Sequence, residues 1–190
     1  MTAVEVFRPS LRRYSLAYDS ACVIGGSALV ALSAQVAIPL PFSPVPITGQ
    51  TLAALLIGAL LGRRLGALAL LLYLAEGAVG IPVFAGGGFG LARLAGPTGG
   101  FLAGLVVAAF LVGYLAERGW DRRPATTVLA MLLGTIVIYA FGLAWLTHFL
   151  GAGRVLAAGL LPFIPGDLLK LALAAALLPS GWALLGRAQK

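Results

Sequence analysis

The side chains able to do chemistry in this sequence are few, and they stand out because so little else ionises. Thirteen Lys and Arg, six Asp and Glu and one His supply all the side-chain charge of 190 residues. Most cations flank apolar segments, but Glu76, Arg93, Arg154, Asp167 and Lys170 do not. Asp167 and Lys170 give the strongest signal. They lie three residues apart at the start of an apolar helix, on one face and within pairing distance. An unpaired charge in lipid costs several kcal/mol, and a partner offsets part of that dehydration. The stretch Pro162-Phe163-Ile164-Pro165-Gly166 breaks the chain just before them, so Asp167 could cap the helix. Lys170 in a first turn works against the helix dipole and needs another reason to be there. Two readings follow: a cap with a salt bridge, or contact with a polar ligand. An ammonium at the mouth of a helical bundle suits an organic carboxylate, and the neighbouring carboxylate suits N–H donors.

Glu76 falls in a third helix, three residues after Tyr73, where it could meet that hydroxyl or approach an outer loop. As an acid at membrane depth it is a functional candidate by default. Thr48, Gln50 and Thr51 gather hydroxyl and amide groups where a proline-rich loop enters the second helix. Capping accounts for one threonine, and Thr98 after Pro97 for another, but capping does not account for Gln50. Soluble-enzyme signatures are missing. His148 is the one histidine, no His, Cys or carboxylate cluster has metal-ligand spacing, and no GxxxxGK[ST] loop occurs. No cofactor, metal or ATP hydrolysis is therefore expected of this chain. The glycines at 86 to 90 are a weak phosphate-cradle signal with no strand before them. A membrane enzyme would have to work with Asp167 and Glu76 and would show turnover; a purely structural protein would show no saturable binding of a small molecule.

The elements that must position these groups are written in the composition. Hydrophobic residues make up 61% and charged residues 10%, against about 45–50% and about 25% in soluble domains. No Asp, Glu, Lys or Arg occurs between Asp19 and Arg63 or between Arg123 and Arg154, and each gap exceeds the ~20 residues that cross a bilayer. Six apolar segments are predicted: Ala21 to Ile38, Thr51 to Leu61, Gly66 to Gly80, Phe101 to Leu115, Thr127 to Leu150 and Leu168 to Leu185. All should be helical, because a helix satisfies its backbone without water. The expected architecture is an all-α integral membrane protein in one domain, 1–190: a cytoplasmic segment 1–20, a six-helix bundle 21–186 and a tail 187–190. The first segment reads as a membrane helix and not a cleaved signal, since further spans follow. Cys22, inside it, cannot form an internal disulfide.

With the N-terminus in the cytoplasm and six crossings, cytoplasmic segments hold Arg8, Arg12, Arg13, Arg63, Arg64, Arg118, Arg122, Arg123, Arg187 and Lys190. Outer loops hold Arg93 and Arg154, so the count is ten against two with Lys170 set aside. Short loops rich in Lys and Arg stay inside, which puts both termini there. The same charge explains the net +7 without nucleic acid, for which no basic-aromatic interleaving exists. The outer loops differ in kind: Pro39, Pro41, Pro44 and Pro46 fill one, and Pro82, Gly86, Gly87, Gly88, Gly90 and Gly96-Pro97 another. Such loops can be compact, shaped surfaces that fold over the helix ends. Small residues also recur every four positions: Ala17, Ala21 and Gly25; Ser27 and Ala31; Gly58, Gly62 and Gly66; Gly96, Gly100 and Gly104; Ala109 and Gly113. Such stripes permit close helix packing in lipid, and the one on the first helix is the candidate to face another protein.

The segments Pro44-Val-Pro-Ile-Thr-Gly-Gln-Thr51, Gly58-Ala-Leu-Leu-Gly62, Tyr73 with Gly77, Gly80, Pro82-Val-Phe84, Gly96-Pro-Thr-Gly-Gly100 and Pro165-Gly-Asp167-x-x-Lys170 resemble, in order and over nearly the whole chain, the signature of the BioY family. These are the biotin-capturing membrane subunits of energy-coupling-factor transporters. The resemblance implies six helices in a bacterial or archaeal cytoplasmic membrane, biotin bound at the outer side, and partners: a transmembrane coupling protein with two ATPase subunits. It implies Asp167 and Lys170 as direct ligand contacts. Thr48 and Gln50 would stand in one wall, Phe84, Gly86 and Gly87 in a lid, and Tyr73 nearby. It implies that Ala17, Ala21, Gly25, Ser27 and Ala31 form the docking face. Glu76 departs from the small or apolar residue expected at its position. A subunit for another small vitamin is the nearest alternative.

Overall fold

A computed structural model describes residues 2–6 and 12–188. Arg8 and Lys190 lie outside the described residues, as do the side chains of Arg12, Arg13 and Arg187. The described helices in chain order are α1 (Ala3–Val6), α2 (Arg12–Gln35), α3 (Gln50–Ala78), α4 (Leu91–Ala95), α5 (Gly99–Glu117), α6 (Pro124–Leu150), α7 (Ala152–Gly159) and α8 (Ile164–Ala188). Five apolar helical stretches, within Tyr14–Gln35, Gln50–Ala78, Gly99–Glu117, Pro124–Leu150 and Ala152–Leu184, are long and apolar enough to cross a membrane.

The sixth helix comes from α3, which is two helices and not one. At Gly62 the backbone takes φ 82° and ψ 176°, a region open essentially to glycine alone. The chain reverses there into antiparallel arms, 50–61 and 63–78. The proof is a hydrogen bond: the Gln50 amide donates to the Tyr73 hydroxyl at 3.0 Å, whereas 23 residues of straight helix would span about 35 Å. The arms are about 18 and about 24 Å long, short of the ~30 Å hydrocarbon thickness. The expected pair of short segments is thus present, joined by a one-residue turn, with Arg63 and Arg64 inside the second arm. Glu117 steadies that turn. Its carboxylate accepts the Arg63 backbone N–H at 2.9 Å and pairs with the Arg63 guanidinium at 3.3 Å, satisfying an orphan donor at the arm's start.

Helices α3, α5 and α6 form the centre, and close backbone approach holds them together. A Cβ on Gly58 would stand 2.5 Å from the Ala109 carbonyl oxygen, and one on Gly113 would stand 2.4 Å from the Arg63 nitrogen. The small-residue stripes at 58–66 and 109–113 are therefore internal packing seams. By contrast α2 and α8 are peripheral. Over the most apolar window of α5, 61% of residues are buried within the protein, but only 17% for α2 and 6% for the stretch containing α8. Their leucine-rich outer faces suit lipid.

The polypeptide also holds a feature the all-α expectation lacked. The first proline-rich connection is an antiparallel hairpin, β1 (Ala37–Leu40) and β2 (Ser43–Thr48), pairing Ala37 with Thr48 and Ile38 with Ile47. The register slips between Ile38 and Leu40, at Pro39, which has no N–H to donate. The first helix correspondingly ends at Gln35 and not at Ile38. Ser43 fastens the hairpin to α7 by donating to the Ala158 carbonyl at 2.7 Å.

The two ends of the bundle are distinct. At one end lie the Gly62 turn, the Thr2 methyl packed beneath it, and the α5–α6 connection, where Asp121 accepts the indole N–H of Trp182 near the end of α8 at 2.5 Å. At the other lie the hairpin, the 79–98 connection with α4, and α7.

Candidate functional site

A cavity with an empty space of about 730 Å³, counting its mouth, opens at the second end between all the central elements. Val45, Pro46 and Thr48 of β2, Gln50 and Thr51 of α3, and Phe84 and Ala85 of the glycine-rich connection line one side. Phe101, Leu102 and Leu105 of α5, Thr135, Ile138 and Tyr139 of α6, Phe163, and Asp167 and Lys170 of α8 line the other. Arg93 of α4 and Thr98 complete the wall.

Asp167 and Lys170 form an ion pair of 3.1 Å with little side-chain exposure, one helical turn apart on α8 as their spacing required. Neither acts as a cap. The Tyr139 hydroxyl of α6 donates to the second Asp167 oxygen, and Lys170 also donates to the Thr51 hydroxyl at 2.8 Å. The pair consequently pins three helices at one point. An ammonium has three donors, and two are committed here, so a third can meet a ligand oxygen at the cavity floor. The carboxylate, already accepting two bonds, keeps lone pairs for N–H donors.

Arg93 stands in the wall as a second cation. It gives one of its five N–H donors to the Ala85 carbonyl, at 3.5 Å. With Asp167, Lys170 and Arg93 the lining carries one anion and two cations, a net +1. The rest of the lining is mostly apolar and aromatic. Phe84 is almost fully buried, its ring edge-on to Tyr73 at 5.4 Å, and Phe101 meets Tyr139 edge-on at 6.2 Å. Phe84 reaches its place because residue 77 is glycine: a Cβ there would be 2.0 Å from the ring.

Of the residues singled out in the sequence, Thr48, Gln50, Thr51, Phe84, Arg93, Thr98, Asp167 and Lys170 reach the cavity. Tyr73 does not line it. Fully buried, it stands behind Gln50, accepting that amide and donating to the Val83 carbonyl at 3.2 Å. Gly86 and Gly87 also stand back from the lining, where Ala85 takes their place; both adopt positive φ and shape the loop. Thr98 occupies the N-cap position of α5 without a side-chain cap bond. Glu76 meets neither Tyr73 nor the cavity, since the Ser27 hydroxyl donates to it at 2.5 Å. That bond also corrects the docking stripe: Ser27 is fully buried against α3, and Ala31 is half-buried against the core. Ala17, Ala21 and Gly25 are exposed.

Thr135, Tyr139, Phe101 and Phe163 are lining residues that the sequence did not single out, and Arg93 stood out there only as a charge without a role. Arg93 had a signal, a lone cation in an outer connection otherwise free of charge. Tyr139 and Thr135 had none, being single polar groups inside a long apolar run. Among the described residues no group of three His, Cys, Asp or Glu could hold a metal ion.

Comparison with known proteins places this geometry in a lineage. Residues 8–187 match the model of the BioY family. A biotin transporter BioY from Rhizobium etli is 43% identical over 168 residues, covering 84% of this chain and 86% of that protein. A probable biotin transporter BioY from Pyrococcus horikoshii is 40% identical over 147 residues, 77% of this chain and 85% of that one. Among solved structures, the crystal structure of the S-component for biotin from an ECF-type ABC transporter superposes with a TM-score of 0.79. That match has 25% identity over 90% of this chain and 94% of the other. On sequence, fold and extent together, this chain belongs to the BioY family.

Proposed function

We propose that the chain captures biotin at the outer face of a bacterial or archaeal cytoplasmic membrane, as the substrate-binding subunit of an energy-coupling-factor transporter. The observation that carries this is the polarity of the cavity: an Asp–Lys pair, an apolar aromatic waist and an additional arginine. Biotin has the matching order of groups, a ureido ring with N–H and C=O, an apolar bicycle and chain, and a carboxylate. Asp167 accepts the ureido N–H and Lys170 donates to a ligand oxygen of the same ring. Arg93 takes the carboxylate, for which a guanidinium fork is better suited than a point charge. Thr48 and Gln50 form the wall beside the β-hairpin, and Phe84 with residues 85–88 forms a lid that Tyr73, Gly86 and Gly87 hold in shape.

The topology we assign has six crossings with both termini in the cytoplasm. Arg63, Arg64, Arg118, Arg122 and Arg123 all belong to the Gly62 end of the bundle, which the positive-inside rule assigns to the cytoplasm, so the cavity opens outward. Biotin enters from outside, the hairpin and glycine-rich connection occlude it, and release follows reorientation against a transmembrane coupling protein driven by two ATPase subunits. Ala17, Ala21 and Gly25, small and exposed on α2, are the docking face.

The test is equilibrium binding of radiolabelled biotin to the purified protein in nanodiscs. Saturable binding displaced by unlabelled biotin, and not by thiamine, is expected. Failure to saturate, or equal displacement by thiamine, would remove the reading.

A further inference from the structure

We propose that Gln35, the last residue of α2, is the latch that holds the lid of this cavity shut, so that the position of α2 sets whether the lid is closed. The inference rests on the reading of residues 84–88 as the lid of a biotin site.

Of residues 79–98, the connection that carries the lid, Phe84 alone is buried. At Gly80, Gly86, Gly87 and Gly90 an added Cβ would meet nothing within 4 Å, and all four have positive φ. The loop is tied near its base by the Gly90 N–H to the Gly77 carbonyl at 2.7 Å and by the Tyr73 hydroxyl to the Val83 carbonyl. Beyond these, Phe84 and Gly88 bridge to each other, Arg93 of α4 donates to the Ala85 carbonyl at 3.5 Å, and the ties from α2 all come from one exposed side chain. The Gln35 amide nitrogen donates to the Val83 carbonyl at 3.2 Å and the Phe84 carbonyl at 3.4 Å, and its amide oxygen accepts the Gly87 N–H at 3.1 Å. The same nitrogen lies 3.0 Å from the Ala31 carbonyl, so its two hydrogens are shared among three acceptors and the side chain is also held against its own helix.

This pattern demands a carboxamide. The lid offers carbonyls at Val83 and Phe84 and an N–H at Gly87, so its partner must donate and accept from one side chain. Glutamate would accept from Gly87 but set a carboxylate against two carbonyl oxygens, and leucine would do neither. Gln35 is not itself a lining residue; it meets the lining through the backbone of Phe84 and therefore acts by positioning. Because the same helix bonds α3 through Ser27 and Glu76 and exposes Ala17, Ala21 and Gly25, a displacement of α2 against α3 would draw on the lid directly.

The experiment uses two readouts on the full chain in nanodiscs, with Gln35→Leu and Gln35→Glu. In the first, a nitroxide is placed on a cysteine substituted for exposed Phe89, in a Cys22→Ala background, and its mobility is read by electron paramagnetic resonance without ligand. Both variants should mobilise the label. In the second, biotin dissociation should be about tenfold faster, with association changed less than about threefold, as expected when a closed state loses hydrogen bonds. Unchanged label mobility, wild-type behaviour of Gln35→Glu, or a slowed association with unchanged dissociation would overturn the latch. If wild-type protein bound no biotin, the biotin reading would fall while the label still judged the tie between α2 and the lid.

Discussion

The two ends of the bundle are built from the same residue, glycine, used for opposite purposes. At the Gly62 end, glycines let backbones touch. Gly113 lies against Gly62 and Arg63, Gly58 against Ala109, and the turn is clamped by Glu117. In the loop at the cavity end, a Cβ added at Gly80, Gly86, Gly87 or Gly90 would meet nothing within 4 Å; these glycines bend the chain, and side-chain hydrogen bonds from Gln35 and Tyr73 help to hold it. The first end is held by close backbone packing, and the loop at the second by a few bonds worth about 0.5–1.5 kcal/mol each. A transporter subunit needs both, a rigid frame and a mouth that can open.

Substitutions can break or sharpen that contrast. The largest effect belongs to the frame. Gly113→Leu would drive a side chain into the Gly62–Arg63 backbone, where a Cβ alone would be 2.4 Å from a nitrogen, and overpacking against backbone should exceed ~3 kcal/mol. Loss of monodisperse protein in size-exclusion chromatography is expected; normal yield would mean that the frame can yield. At the cavity, Lys170→Ala strips Asp167 of its cation and removes the proposed ligand donor. Biotin binding by titration calorimetry should fall roughly 100-fold, with the fold retained. Tyr73→Phe cuts the relay from Gln50 to the Val83 carbonyl without touching the cavity surface. It should weaken binding only about threefold to tenfold, the value of one or two hydrogen bonds.

The smallest effect returns to the frame end. Burial holds the Asp121 carboxyl above its ordinary value, with the Trp182 indole and the Arg122 charge pulling the other way. Because the folded protein binds this proton more tightly than the unfolded chain does, the group's contribution to stability diminishes as pH rises from 3.8 towards the folded value. Asp121→Asn keeps an acceptor for Trp182 and removes the buried charge. Its unfolding temperature at neutral pH should equal or exceed that of wild type; a clear drop would show that the charge itself holds the α5–α6 connection to α8.

How much of this could be read in the sequence follows the same division. Composition and the spacing of Arg pairs were enough to count the helices, because lipid leaves a chain so few options for its backbone. Asp167 and Lys170 were legible because charges are rare in apolar helices. The β-hairpin was not, since prolines hide a short strand's alternation and its partners are non-local. Ser27 was misread as surface because four-residue spacing marks small residues without saying which stripe meets α3. Tyr139 and Gln35 were invisible for a simpler reason: single polar groups acquire a role only when a distant loop or helix arrives beside them.

The central claim, that this cavity binds biotin lengthwise between the Asp167–Lys170 pair and Arg93, is tested most directly by a double cycle. Biotin and its primary amide, which lacks the carboxylate charge, would be titrated into wild type and Arg93→Ala by calorimetry. The expected result is a large preference for biotin in wild type that collapses in Arg93→Ala, giving a coupling of about 1.5 kcal/mol or more. An undiminished preference in Arg93→Ala, or equal binding of the two ligands by wild type, would contradict it.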